Sequence, residues 1–154
     1  MRIAAPASPR QLDLGLTILR VVTGIVFAAH GAQKLFVYGF AGVTGAFGQM
    51  GVPMPGIVGP LVALVEFFGG LALIVGLLTR LAAFGTAAVM LGAISLVHIS
   101  AGFFAPKGFE FPLTLLGAAI ALVFTGAGRF SLDGVIAGRT AVATTDDRTI
   151  RRAA

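Results

Sequence analysis

Four long apolar runs divide the chain, at about residues 14–38, 58–78, 81–104 and 110–127. A helix needs about 20 apolar residues to cross the hydrocarbon of a bilayer, and each run meets or approaches that length. The fourth is the shortest. It opens at Glu110 with Pro112 in its first turn, where a missing N–H costs nothing. Between the first two runs lies "GFAGVTGAFGQMGVPMPGIVG", whose Pro53 and Pro55, with Pro60 directly after it, are expected to interrupt any long helix. Phe40, Val43, Phe47 and Met50 recur there at helical spacing, which predicts a short interfacial helix or loop. Only "TR" separates the second and third runs and "APKGF" the third and fourth, so consecutive runs must be antiparallel.

Composition turns this pattern into a class. Of 154 residues, 57% are hydrophobic and 11% charged, and the mean hydropathy is +0.99. A soluble domain carries about a quarter charged residues. The expectation is an all-α integral membrane protein, a compact four-helix bundle packed through small residues such as Gly24, Gly31, Gly70 and Gly85. The net charge of +5 does not point to nucleic acid, because the basic residues form no patch interleaved with aromatics. They gather instead at the N-terminus, at Arg80 and along the C-terminal stretch. Four crossings put those three places on one side, and the positive-inside rule assigns both termini to the cytoplasm of a bacterial-type inner membrane. Residues 1–13 then form a cytoplasmic tail, 14–134 the membrane domain and 135–154 a mobile cytoplasmic tail. The basic, apolar start resembles a secretion signal, but Arg20 interrupts its would-be core, so it is expected to be retained. There is no cysteine, which removes disulfide and thiol chemistry.

Against this apolar background the ionisable residues stand out. Taking 1.5 Å per helical residue, His30, Lys34, Glu66 and His98 fall within about 12 Å of the same membrane face, and Glu110 stands at its edge. His30 and Lys34 are four apart and share a helix face. Ionisable groups at such depth are costly and mark function by default. These five are the candidate ligand-binding or proton-relay residues. Arg20 lies about 15 Å from His30 towards the other face. It is expected to snorkel, to pair with Asp13 or Asp133, or to contact a lipid phosphate.

The stretches "LRVVTGIVFAAHGAQKLF", "GVPMP", "LVEFFGGLALIVGLLTRLAA", "HISAGFF" and "GFEFPLTLLGAAIALVFTGAGRFSLD" carry a further signal. Together they resemble the DoxX family of small four-helix membrane proteins, from about Leu14 to Asp133. That family is related to the membrane part of a thiosulfate:quinone oxidoreductase, so the resemblance implies a redox-associated membrane subunit. Locally, "SLD" also reads as a structural stop. Ser131 caps a short turn with Asp133 near its positive end, and Arg129 pairs with Asp133.

Three classes of function suit these residues. In the first, a membrane redox-associated subunit binds a quinone or small polar ligand through His or Lys donors, with Glu or His moving protons. Phe27, Phe67, Phe68, Phe103 and Phe104 lie at a depth that would enclose the ring. No resident cofactor is expected. Axial ligation of haem b by His30 and His98 would require the two rings to face each other, which shared depth does not supply. A metal held by His30, His98, Glu66 and Glu110 is equally weak. The second class is an accessory scaffold packed against a larger membrane complex. The third is a proton-linked transporter of a small solute, against which stands the concentration of charge near one face.

Overall fold

The computed structural model describes residues 6–138. All the regular structure among them is helical. Helix α1 spans Pro9–Ala32, five residues earlier than the apolar run predicts. Its start is set by Ser8, whose side chain accepts from the Gln11 N–H while the Gln11 side chain accepts from the Ser8 N–H, with proline in the first turn. The helix then widens into a π-helical segment, Gln33–Tyr38. Gly39, at φ +64°, redirects the chain into α2, Gly39–Gln49, the short helix expected between the first two crossings. Val43 of α2 is buried against Gly59.

Helix α3 spans Pro55–Val75, starting at Pro55 and running through Pro60, which therefore does not break it as expected, and α4 spans Thr79–Ala93. A second π-helical segment, Ile94–His98, extends α4 and ends in a single turn at Ile99–Ala101. Helix α5 spans Glu110–Thr125. Helices α1, α3 and α4, with their extensions, are long and apolar enough to cross a membrane, and α5 is a shorter apolar helix. At 16 residues it is about 24 Å long. The chain therefore folds as the expected helical membrane bundle, up, down, up and down.

Packing follows chain order. Helix α1 lies on α3, α3 on α4 and α4 on α5, while the closing seam between α5 and α1 is much sparser. The core holds Phe27, Leu73, Ala83, Met90, Leu115 and Leu122. Large apolar side chains such as Ile18, Val22, Phe84, Leu91 and Phe124 point outward, as a helix bundle solvated by lipid requires.

At the end of the bundle where α1 begins and α5 ends, one acid ties the α3–α4 turn to the segment after α5. The Asp133 carboxylate accepts from the N–H groups of Leu78 (2.8 Å) and Thr79 (2.9 Å), and its own N–H donates to the Gly76 carbonyl (2.8 Å). Asp133 thus caps α4 from more than 50 residues away and holds Leu78 at φ +48°, a strained conformation for leucine. The sequence-based expectation that Asp133 pairs with Arg129 is corrected. Arg129 instead donates its backbone N–H to Asp13 (3.0 Å). Ser131 does cap the helical segment over 132–138, accepting from the Gly134 N–H (3.0 Å). The remainder of the C-terminal tail, from residue 139, lies outside the described residues, as do residues 1–5.

Candidate functional site

A close approach of two backbones sets the site. Gly31 of α1 presses on the backbone of Phe67 in α3, and Gly24 and Gly70 meet in the same way two turns further along. A Cβ at Gly24 would lie 2.7 Å from the Gly70 carbonyl oxygen, well inside van der Waals contact. With the helices this near, Lys34, on the turn after Gly31, reaches across to Glu66, the neighbour of Phe67. Its ammonium lies 2.5 Å from Glu66 Oε2. Ala63 and Gly70, both on the Glu66 face of α3, are fully or largely buried and leave the carboxylate room to face α1.

This is the sole ion pair among the described residues, and it is nearly closed to solvent. The side chains are 5% exposed at Glu66 and 18% at Lys34. A buried carboxylate needs such a partner, since removing a lone charge from water costs several kcal/mol. Lys34 also sits in the π-helical segment Gln33–Tyr38. Such wide turns recur at functional positions because they shift side chains out of the regular helical register.

His30 lies within electrostatic reach of Glu66. Its Nδ1 is 2.9 Å from the Val26 carbonyl oxygen, which can only accept, so Nδ1 carries a hydrogen and Nε2 is the ring nitrogen left for another partner. The ring is exposed and stacks on Phe111 with centroids 6.0 Å apart, across the sparse α1–α5 seam. Phe36, Phe67 and Phe68 form an edge-to-face chain beside the pair.

The remaining two candidates serve the loop between α4 and α5. His98 Nδ1 donates to the Lys107 carbonyl (2.8 Å), and Glu110 accepts from the Ala105 N–H (2.7 Å). Phe103 packs edge-to-face on Phe104 and Phe109 in the same loop. The single five-residue layer suggested by depth therefore separates into two places, with Lys34–Glu66 the one hydrogen bond between any two of the five. One place holds Lys34, Glu66 and His30, and the other holds His98 and Glu110. Phe27 belongs to neither, being buried in the core. Among the described residues no cluster of three or more His, Cys, Asp or Glu has the arrangement of a metal site.

Arg20 does not snorkel. It is only 2% exposed, and its guanidinium donates to the carbonyls of Leu73 (2.7 Å), Ile74 (2.9 Å) and Phe130 (2.8 Å). The last turn of α3 leaves carbonyls without helical partners, and Arg20 satisfies two of them while anchoring the segment after α5. Sequence reasoning sought an acid or lipid for Arg20. The available signal was Gly76, which ends α3 at φ +72° at the depth of Arg20 and exposes those carbonyls. Arg80 acts similarly, reaching the Phe124 carbonyl at the end of α5 (3.4 Å).

A helical membrane bundle with one buried acid–base pair near one face and a backbone clamp at the other is the class defined by these features. Residues 15–99 match the family model DoxX, and the chain belongs to that family. It is similar to the Bacillus subtilis protein described as putative oxidoreductase CatD, with 33% identity over 80% of this chain and 88% of CatD. It is likewise similar to the Escherichia coli inner membrane protein YqjF (37%, covering 80% and 93%) and to the Mycobacterium tuberculosis membrane protein Rv3486 (34%, covering 84% and 88%). No solved structure matches the chain significantly.

Proposed function

We propose that this protein is a redox-associated membrane subunit whose Lys34, Glu66 and His30 bind a quinone-like ligand entering from the lipid. The buried Lys34–Glu66 pair beside an open histidine carries this reading. Lys34 supplies a charged donor for a ring carbonyl, and the free Nε2 of His30, when the imidazole is neutral, is an acceptor suited to a ring hydroxyl. Glu66 holds the ammonium in place and is a reservoir for a proton moved by the ligand. The sparse α1–α5 seam gives an apolar molecule a route past Phe111 to His30. Electrons would pass to or from a partner protein, in keeping with the description of CatD as a putative oxidoreductase. The same reading keeps both termini in the cytoplasm and the site in the outer leaflet.

Photoaffinity labelling with a quinone carrying a diazirine tests this. Wild-type protein in nanodiscs should label on α1 or α3 near the pair, and Lys34→Met and His30→Phe should each reduce labelling at least fivefold. Equal labelling of wild type and both variants would remove the site. Co-purification with a large complex whose turnover is unchanged by Glu66→Gln would favour a non-catalytic scaffold instead.

A further inference from the structure

At the end of the bundle opposite the Lys34–Glu66 pair, a cleft of about 370 Å³ is lined by Arg10, Asp13, Arg129 and Phe130. Its walls come from distant parts of the chain. Arg10 and Asp13 are three apart on the first turns of α1 and share a face. Arg129 and Phe130 belong to the segment after α5, which Gly128, at φ +71°, lays against Asp13 and Leu16.

The charges of this cleft are out of balance. Its one carboxylate is already engaged, because Asp13 Oδ1 accepts the Arg129 backbone N–H at 3.0 Å. Neither the Arg10 nor the Arg129 guanidinium forms an ion pair or hydrogen bond among the described residues, and both are exposed. Two cations and one anion leave a net charge of +1. Guanidinium groups bind phosphate oxygens through paired N–H donors, and one phosphodiester would neutralise the remainder. Phe130 is 51% exposed, and Leu14, four residues beyond Arg10 on the same face of α1, is 46% exposed. An anionic headgroup above acyl chains matches that order of polar cleft and apolar flank.

We infer that this cleft binds the phosphate of one anionic phospholipid, held between Arg10 and Arg129, so that the lipid ties the start of α1 to the segment that follows α5. The inference is independent of any ligand at the Lys34–Glu66 pair.

Native mass spectrometry of the full chain from mild detergent tests it, using phosphatidylglycerol and phosphatidylcholine with identical acyl chains. Wild type should retain one phosphatidylglycerol per chain. Arg10→Gln with Arg129→Gln should lower that retention at least tenfold and leave phosphatidylcholine binding unaltered. The Asp13 bond uses the Arg129 backbone, so it survives the substitution. Should the double variant fail to fold, each single variant should still lower retention severalfold. Arg80→Gln removes an equal charge on the same side but outside the cleft, and should bind as wild type does. Equal retention of the two lipids, equal retention by wild type and the cleft variants, or an equal loss in Arg80→Gln would overturn the assignment. Displacement of the lipid by millimolar inorganic phosphate would overturn the lipid source and leave a free-phosphate site.

Discussion

Arg20 and Asp133 show how a charged side chain is accommodated in this bundle by serving the backbone. The two terminal nitrogens of Arg20 donate to two carbonyls at the end of α3 and to that of Phe130 in the segment after α5. Substitution by leucine removes those bonds and leaves polar groups buried without partners, at about 1–3 kcal/mol each. Arg20→Leu should therefore lower the thermal midpoint in detergent far more than Arg80→Leu, whose single contact is long and exposed. For Asp133, burial pushes the carboxyl up, but the N–H groups of Thr79 and Leu78 and the charge of Arg20 outweigh it and hold it below the ordinary carboxylate range. Folding thus favours the ionised form. Its contribution is complete above the unfolded value of about 4 and is lost as the pH falls through the lower folded value. Asp133→Ala should cost about 1–2 kcal/mol at neutral pH, as loss of a helix cap does. Stability curves for wild type and Asp133→Ala should converge at strongly acidic pH, and a constant gap down to pH 2 would contradict the cap.

At the scale of elements, the glycines divide into two kinds. Gly24, Gly31 and Gly70 sit where α1 and α3 touch backbone to backbone, and no side chain fits there without moving a helix. Gly92 in α4 and Gly117 in α5 face open space. Gly31→Val and Gly70→Val should disrupt the bundle and destroy any binding at Lys34. Gly92→Ala and Gly117→Ala should leave stability equal or slightly raised, since alanine lowers the entropy of the unfolded helix segment by about 0.5–1 kcal/mol. Thermal denaturation of the four variants checks the division. Both kinds look alike in the sequence, because a glycine in an apolar run carries no mark of what lies opposite it. The helices themselves were legible from their apolar lengths. Their starts were less so, as at α1, where a capping box extends the helix beyond the apolar run. The π-helical segments carry no composition signal of their own.

For the whole molecule, the decisive interaction is the Lys34–Glu66 pair across α1 and α3. Lys34→Met and Glu66→Met each leave one buried charge alone and should cost about 3–5 kcal/mol. Replacing both removes the charge problem, so the double variant should be more stable than the sum of the single losses predicts, with a coupling above about 1 kcal/mol. Additive losses in a denaturation cycle would show that the two charges act separately. Apolar run lengths and the scarcity of charge determined the class, the number of helices and their alternation, because in lipid every backbone group must be satisfied within a helix. The same residues determined family membership. Depth along each helix also placed five ionisable side chains near one face, but depth is a single coordinate. Which of them meet depends on helix rotation and on the approach of α1 to α3, set by glycine contacts from separate helices. Only the tertiary structure could therefore join Lys34 to Glu66, turn His98 and Glu110 to their own loop, and give Arg20 the carbonyls of Leu73, Ile74 and Phe130.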